Sequence, residues 1–326
     1  MRAIAISEPG GPEVLGLTEL PEPSPGPGEV LIKVHAAGIN RADIVQRQGF
    51  YPPPPGAPET PGLEVAGTVA ATGEGVDDWS EGDRVCALLS GGGYAELALA
   101  AAAECLPIPD EMSIEEAAGL PETVLTVWSN VMQRAAIQPG ESFLVHGGSS
   151  GIGTSAIQML TAYGCPVYAT AGSAEKVEVC EALGARLCVN YREQDFVEAI
   201  KADTDGRGVD VILDMVGGDY VDRNIQLAAV NGRIVNIAYL QGSQVSANLM
   251  PVMLKRLVLT GSTLRAREQA FKAALVAEVR DKAWPWLDDG RLQPIIHQVF
   301  SFAEASEAHR VMESSRHIGK LILSWE

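Results

Sequence analysis

Hydrophobic and polar positions alternate over short runs in the first third of the chain. From Met1 to about Pro109 the strand-like runs are "RAIAIS", "EVLIKVHAAGI", "LEVAGTVAATG", "DRVCALL" and "YAELALA". Clusters of proline, glycine and acidic residues separate these runs, as is typical of turns between strands. The pattern predicts a β-rich domain, which we expect to be a partly open barrel.

The pattern of hydrophobic residues changes after Gly140. Buried strands ("SFLVHGG", "PVYAT", "RLCVN", "VDVILDMV", "GRIVNIA") now alternate with glycine turns and helical segments, which predicts a doubly wound parallel sheet. The predicted fold class is therefore α/β, with the β-rich domain over residues 1–123 and a Rossmann dinucleotide-binding domain over 124–265. Residues 266–326 end in a helix and a strand, which we expect to return at least in part to the first domain.

Charge and composition exclude several classes of partner. The 326 residues carry a formal charge of −18 and 46% hydrophobic residues, so nucleic acid and anionic membranes are poor partners. No signal peptide or membrane span is evident. The five cysteines form no C-x-x-C pair and no disulfide framework. We expect a cytoplasmic enzyme with a small-molecule substrate.

The stretch "LVHGGSSGIGTSAIQML" places glycines between an apolar strand and a helix. Glycines at this point let the backbone approach a pyrophosphate, and the helix directs its N–H groups at the charge. The alternative is a purely structural turn. A short-chain dehydrogenase is excluded because no downstream tyrosine has a lysine four residues later. The candidate contacts are Gly147, Gly148, Ser149, Gly151, Ile152 and Gly153.

The end of the second strand of this domain indicates which dinucleotide binds. In dinucleotide folds an acidic residue there bonds the adenosine ribose and repels a 2′-phosphate. Gly172, Ser173 and Lys176 stand in its place, which favours NADPH over NADH. Glu175 is the nearest acid, and it can serve instead as a first-turn cap. Tyr191 either contacts the same phosphate or packs at the edge of the core.

Nearly the whole chain resembles one family. The runs "AAGINRADIVQRQGFYPPPP", "PGLEVAGTV", "GDRVCAL", "GGYAEL", "HGGSSGIGTSAIQ", "AGSAEKVEVCEALGA", "GVDVILDMVGG" and "HIGKLIL" are similar to those of the medium-chain dehydrogenase/reductase superfamily. Within it they resemble the zinc-free quinone oxidoreductase (zeta-crystallin-like) branch, and most closely the tumour-suppressor-inducible quinone oxidoreductases. The resemblance implies that the first domain is a GroES-like catalytic domain.

The resemblance also implies site residues. Asn40, Asp43 and Tyr51 would line the substrate site. The alternative for Asn40 is a purely structural role as a helix cap. Thr126 and Trp128 would meet the nicotinamide end or its ribose, with a core position as the alternative for Trp128. Further cofactor contacts are implied on the turn from Ala238 to Leu240, at the backbone near Leu264, and at His317 or Arg316.

A zinc site is not expected. Zinc-dependent alcohol dehydrogenases of the same superfamily have a cysteine where this chain has Asn40, and a Gly-His-Glu triplet where it has Gly62, Leu63 and Glu64. Asparagine and leucine cannot supply a thiolate and imidazole sphere, and the four-cysteine structural zinc lobe is missing. Glu64 is then a hydrogen-bonding scaffold residue.

These observations predict an NADPH-dependent quinone oxidoreductase that works without zinc, with the cofactor in the interdomain cleft. One alternative is an enoyl or alkenal reductase, for which Tyr51 is the candidate proton donor. Another is an NADPH-binding protein with little catalysis. Relatives usually pair through the edges of their Rossmann sheets, so we expect a homodimer, and "LVLTGST" after Arg256 is the nominated edge strand.

Overall fold

The computed structural model describes residues 1–325, which form two compact units. Unit 1 comprises residues 1–125, 264–288 and 294–325, and unit 2 comprises 126–263 and 289–293. The boundaries expected from sequence, 123/124 and 265/266, lie two residues from those of the structure. Residues 289–293 join unit 2, which the sequence did not indicate.

The strands are, in chain order, β1 Arg2–Ile6, β2 Leu15–Glu19, β3 Glu29–Ile39, β4 Glu64–Thr72, β5 Arg84–Leu88, β6 Leu97–Ala101, β7 Cys105–Pro107, β8 Phe143–His146, β9 Val167–Ala171, β10 Leu187–Asn190, β11 Val209–Asp214, β12 Ala228–Asn236, β13 Val258–Gly261, β14 Ile296–Ser301 and β15 Lys320–Ser324.

The α-helices are α1 Arg41–Arg47, α2 Ile114–Ala117, α3 Pro121–Val127, α4 Gly151–Ala162, α5 Ala174–Ala182, α6 Phe196–Asp203, α7 Tyr220–Leu227, α8 Met250–Leu254, α9 Gln269–Lys282, α10 Pro285–Asp288 and α11 Ala305–Ser314. Helix α3 runs into a π-helical segment, Trp128–Arg134. The sequence pattern predicts an ordinary helix there.

The main sheet of unit 1 has the order β14-β15-β3-β4-β5-β7, and β6 also pairs with β3. Strand β15 lies between β14 and β3 and sets Leu321 opposite Ile39. The last strand therefore lies in the same sheet as β3. Sequence reasoning missed β2, and it missed β7, whose three residues are too few to show an alternation.

The sheet of unit 2 has the order β10-β9-β8-β11-β12-β13, and all its pairs are parallel. The chain order reverses between β8 and β11, and a crevice at the carboxyl ends of such strands is where ligands of doubly wound sheets bind. The central strands are buried on both faces. The predicted α/β class with a parallel Rossmann sheet is confirmed.

Local sequence signals explain several helix ends. Ser113 caps α2, because its hydroxyl accepts from the Glu116 N–H while the Glu116 carboxylate accepts from the Ser113 N–H. Ser150 and Ser173 cap α4 and α5 through their hydroxyls. Across residues 1–325, none of the helices is long and apolar enough to cross a membrane.

Candidate active site and dinucleotide cradle

The glycine turn of unit 2 joins β8 to α4. Gly147 has a φ of +67°, a conformation that side chains rarely adopt. A Cβ at Gly153 would collide with the backbone of Gly147 and Gly148, so the helix can begin this close to the turn only with glycine there. The first backbone N–H groups of α4, at Gly151 and Ile152, have no partner within an α-helix. A glycine turn that leads into free helix N–H groups can hold an anion.

A chain of buried hydrogen bonds begins at His146, the residue directly before this turn. A carboxylate can only accept, so the Asn224 amide nitrogen donates to Asp214 Oδ2 (3.1 Å). The Asn224 amide oxygen then accepts from His146 Nε2 (2.7 Å). His146 Nδ1 then accepts from the Thr170 hydroxyl (3.0 Å). Burial lowers the pKa of His146, which keeps the imidazole neutral. His146 is therefore a hydrogen-bonded scaffold residue.

The other oxygen of Asp214 fixes the loop after β11. Asp214 Oδ1 accepts from the N–H groups of Val216 (2.7 Å) and Gly217 (3.2 Å). Strands β8 and β11 are the pair at which the sheet order reverses. The two loops at this point are thus held by one fully buried polar network.

The end of β9 brings together four of the predicted phosphate contacts. Tyr191 packs over Gly172 so closely that a Cβ on the glycine would lie 2.6 Å from the tyrosine hydroxyl. Ser173 begins α5, and Lys176 stands in its first turn. Burial, together with the nearby Arg192 charge, lowers the pKa of Lys176. Sequence reasoning missed Arg192, which the basic residue directly after Tyr191 could have indicated.

Other predicted cofactor contacts of unit 2 lie at separate points of the same unit. Thr126 is buried, and its carbonyl accepts from the Asn130 amide (2.9 Å). Trp128 is only 3% exposed, which fits the core position given above as its alternative. Ala238 and Leu240 stand on the loop after β12, where the Leu240 N–H donates to the Met215 carbonyl (3.2 Å). Leu264 and His317 belong to unit 1 and are buried there.

Asn40 in unit 1 is hydrogen-bonded to both members of a buried ion pair, Glu64 and Lys320. The Lys320 ammonium donates to Glu64 Oε1 (2.6 Å), to Asn40 Oδ1 (2.8 Å) and to the Ile39 carbonyl (3.0 Å). The Asn40 amide nitrogen donates to the same Glu64 oxygen (2.9 Å), and Glu64 Oε2 accepts from the Glu122 N–H (2.8 Å). Glu64 is 0% exposed and Lys320 4%. Glu64 is thus a scaffold residue, and Lys320 is a partner that the sequence analysis did not identify.

The cluster of Asn40, Glu64 and Lys320 requires a glycine on β3. A Cβ at Gly38 would collide with Glu64 Oε1 and lie 2.6 Å from the Ala118 carbonyl oxygen. We expect Gly38→Ala to lower the free energy of unfolding by about 2–3 kcal/mol, measured by urea denaturation. Gly16→Ala is the control, because a Cβ at Gly16 of β2 meets nothing within 4 Å. Equal stability of both variants would contradict the close packing of Glu64.

Asp43 lies at the end of a second buried chain in unit 1. Its carboxylate accepts from the N–H groups of Asn40 (2.8 Å) and Gly62 (3.0 Å) and from the Tyr94 hydroxyl (3.3 Å). Burial raises the pKa of Asp43 to about 6. The side chain was expected to line the substrate site, but it is 0% exposed, so it positions the loops that carry Asn40 and Glu64.

The same chain continues to Arg47. A guanidinium can only donate, so Arg47 donates to His309 Nδ1 (3.3 Å) and the proton of the imidazole stands on Nε2, 3.2 Å from the Tyr94 oxygen. Burial, with the Arg47 charge, lowers the pKa of His309 to about 3. The bonds therefore run in one direction, from Arg47 through His309 and Tyr94 to Asp43.

Tyr51 is held on its loop by Arg265. The buried guanidinium lies 5.2 Å from the centre of the Tyr51 ring, donates to the Tyr51 carbonyl (3.4 Å) and donates to Gln46 Oε1 (2.8 Å). Burial, with the charge of Glu122, raises the pKa of Tyr51. The phenol therefore keeps its proton at neutral pH and can act as a hydrogen-bond donor.

The donor set around Asn40 does not suit a metal ion. An amide, a leucine and an ammonium group replace thiolate and imidazole, and both oxygens of Glu64 already accept hydrogen bonds. Across residues 1–325, no three His, Cys, Asp or Glu side chains are placed to hold a metal ion.

Comparisons with known proteins agree with this architecture. Residues 26–110 match the family model of the alcohol dehydrogenase GroES-like domain, and residues 151–279 match that of the zinc-binding dehydrogenases. A quinone oxidoreductase of Rattus norvegicus is 34% identical over 330 residues, which cover 99% of this chain and 97% of the relative. The likeness to tumour-suppressor-inducible quinone oxidoreductases stays a prediction.

Two solved structures are similar over the full length. The Escherichia coli quinone oxidoreductase complexed with NADPH is 30% identical with a TM-score of 0.89, covering 99% of this chain and 100% of the other. The CurK enoyl reductase is 29% identical with a TM-score of 0.88, covering 100% and 99%. This chain belongs to the medium-chain dehydrogenase/reductase superfamily, within its quinone oxidoreductase branch, and is an oxidoreductase.

Proposed function

We propose that the protein is an NADPH-dependent quinone oxidoreductase that works without zinc. The observation that carries the proposal is the cluster of Asn40, Glu64 and Lys320, which offers hydrogen-bond donors and a paired ammonium where metal-dependent relatives have metal ligands. Alcohol oxidation needs a group that stabilises an alkoxide, such as a Lewis acid. Reduction of an electrophilic acceptor needs chiefly a hydride and a proton, which suits quinones.

The cradle of unit 2 fits NADPH. The turn from Gly147 to Gly153 and the first N–H groups of α4 would hold the pyrophosphate, because glycine lets the turn pack closely against the start of the helix. At the end of β9, Ser173, Lys176 and Arg192 would bind the 2′-phosphate, and no carboxylate stands at the position that repels it. Bound NADPH supplies a hydride, and a quinone that takes it together with one proton becomes a hydroquinone.

The side chains of unit 1 would act on the acceptor. Asn40 and Tyr51 each carry a donor suited to a carbonyl oxygen, and burial raises the pKa of Tyr51 further above neutral pH. Asp43 acts through the Asn40 backbone N–H and is a positioning residue. The proton that completes the reduction comes from solvent or from Tyr51.

A second candidate is reduction of the double bond of an enoyl thioester or an alkenal. The similarity to the CurK enoyl reductase supports it, as does Tyr51, whose protonated phenol could supply a proton to the enolate. The β-carbon of an enone accepts a hydride as a quinone does. The two candidates share one site and differ in the acceptor that fits it.

The test is oxidation of NADPH by the purified, metal-stripped protein with para- and ortho-quinones, an enoyl thioester and an alkenal, with NADH as the control cofactor. Fast turnover of quinones with NADPH supports the main proposal. Faster turnover of the enoyl thioester or the alkenal would move the function to enone reduction. Tight NADPH binding with no turnover would overturn both and leave a cofactor-binding protein.

We further propose that two copies pair along the edge of the parallel sheet. Strand β13 is at that edge and exposes Val258 and Leu259, and α8, the helix before it in the chain, exposes Met250, Met253 and Leu254. An apolar edge strand with unpaired backbone groups needs a cover, and a second copy supplies an identical edge.

We expect Met253→Asp to weaken the dimer about 30-fold or more, because a carboxylate would enter an apolar contact. Sedimentation over a concentration series measures this effect. Leu17→Asp is the control, since Leu17 is similarly exposed but stands on β2 of unit 1. A wild-type protein that stays monomeric at micromolar concentration would refute the pairing.

A further inference from the structure

We propose that Lys320 is a positioning residue, which turns the Asn40 amide so that its N–H binds the oxygen of the acceptor carbonyl as negative charge develops there. The inference rests on the proposed reduction of a carbonyl-bearing acceptor. It concerns a lysine on β15 that lies 280 residues from Asn40 in the chain.

The polarity of the cluster follows from the chemistry of its groups. An ammonium has three hydrogens and no acceptor, and Lys320 directs them at Ile39 O, Asn40 Oδ1 and Glu64 Oε1. The oxygen of the Asn40 amide therefore faces Lys320, and its nitrogen faces the Glu64 oxygen that the same ammonium binds. Without the ammonium, the bond from the amide nitrogen to Glu64 would be the one contact within this cluster that opposes turning of the amide.

The second amide hydrogen of Asn40 is held only weakly within the protein. The nitrogen carries two hydrogens, and one is donated to Glu64 at 2.9 Å. The only other partner of this nitrogen in the described part of the chain is the Gly38 carbonyl at 3.5 Å, the outer limit of a hydrogen bond. Asn40 is 9% exposed, so it is not sealed as Asp43 is.

The charges of the pair make this donor stronger. Bonding of Asn40 Oδ1 to an ammonium polarises the amide and strengthens the donation by its N–H. Glu64 balances the ammonium, so the pair adds no net charge to the site. A donor whose orientation is fixed before the reaction loses no energy to reorganisation when charge appears.

The reaction step places the charge where this donor is useful. A quinone that receives a hydride gains two electrons and one hydrogen and becomes a hydroquinone monoanion, whose oxygen then takes a proton from solvent. The negative charge exists in the transition state and not in the bound quinone. Loss of the donor should therefore lower kcat much more than it raises KM.

The experiment compares Lys320→Met with the wild type in NADPH-driven quinone reduction. We expect kcat to fall about 100-fold, with KM for the quinone and the Kd of NADPH changed less than about threefold. Asn40→Leu should show a similar loss. The double variant should be no slower than Asn40→Leu alone, because the lysine acts through the amide.

A matched control separates positioning from the general cost of losing a buried ion pair. Lys272 is a second buried lysine of unit 1, paired with Glu104 (2.9 Å). Lys272→Met should destabilise the fold to a similar extent yet keep kcat within about threefold. If Lys320→Met does not fold, Glu64→Gln/Lys320→Met removes both charges, and kcat should again be low.

The outcomes separate the inference from the proposed function. A wild type that reduces no quinone overturns the proposed function. A wild type that turns over quinones while Lys320→Met keeps its kcat overturns the positioning role alone. The positioning role is also overturned if the fold-losses of kcat in Asn40→Leu and Lys320→Met multiply in the double variant. Multiplied losses would mean that the two residues act independently.

Discussion

Lys176→Glu should lower kcat/KM for NADPH by about two to three orders of magnitude and leave kcat/KM for NADH within about threefold. The lysine stands in the first turn of α5 beside Ser173, and Arg192 is close enough to lower its pKa. A charge-assisted bond to a phosphate contributes about 1.5–3 kcal/mol, and charge reversal adds repulsion. The measurement is steady-state kinetics with both cofactors at a fixed quinone concentration.

Lys201→Glu is the control for this experiment. Lys201 lies on α6 of the same unit, and its replacement changes the net charge by the same amount. We expect it to alter neither cofactor's kcat/KM by more than about twofold. An equal loss with NADPH and NADH in Lys176→Glu would show that the lysine supports the turn as a whole and does not recognise the 2′-phosphate.

His309→Gln should gain stability relative to the wild type as the pH falls. Burial holds the pKa of His309 at about 3 in the folded protein, against a usual 6.5. Below pH 6.5 the unfolded chain binds a proton that the folded protein does not, so the wild type loses stability on acidification. Between pH 6.5 and 5 this loss is about 1.6 kcal/mol. Glutamine carries no such charge, and its amide can still donate to Tyr94.

Urea denaturation of both proteins from pH 7.5 to 5 measures the difference. Asp43 has the opposite effect on stability. Its pKa is raised to about 6, so between pH 6 and 3.8 the folded protein binds a proton more readily than the unfolded chain, and acidification stabilises the fold. That contribution is present in both proteins and drops out of the comparison. His297→Gln, at an exposed histidine of β14, should follow the wild type. Parallel pH profiles of His309→Gln and wild type would contradict a neutral, arginine-bonded His309.

The sequence was most informative where function depends on neighbours along the chain. The turn from Gly147 to Gly153 and the set Gly172, Ser173 and Lys176 are local, because an anion cradle needs glycines and helix N–H groups in a fixed order. The strand–helix alternation likewise indicated the parallel sheet, since strands buried on both faces read as short apolar runs. These features could be located to within a few residues.

The polar networks of unit 1 could not be found in this way. Lys320 and Asn40 come together only because β15 inserts between β14 and β3. Arg47 and His309 are 262 residues apart, and neither has a motif that marks its partner. No local pattern distinguishes a buried, paired lysine from a surface one. The burial of Asp43 was not foreseen for a related reason. A sequence does not show whether a carboxylate in the first turn of a helix faces the site or the interior.

The late arrival of β15 has a consequence for biosynthesis. The ribosome adds Lys320 280 residues after Asn40, and at about 5–20 residues per second this interval lasts roughly 14–56 s. The contiguous residues 126–263 can collapse into the parallel sheet during that time. Until β15 emerges, the end of β3 from Ala36 to Ile39 lacks its β15 partner, and Glu64 has no ammonium partner. We therefore expect unit 1 to complete its sheet only after the last residues have been synthesised.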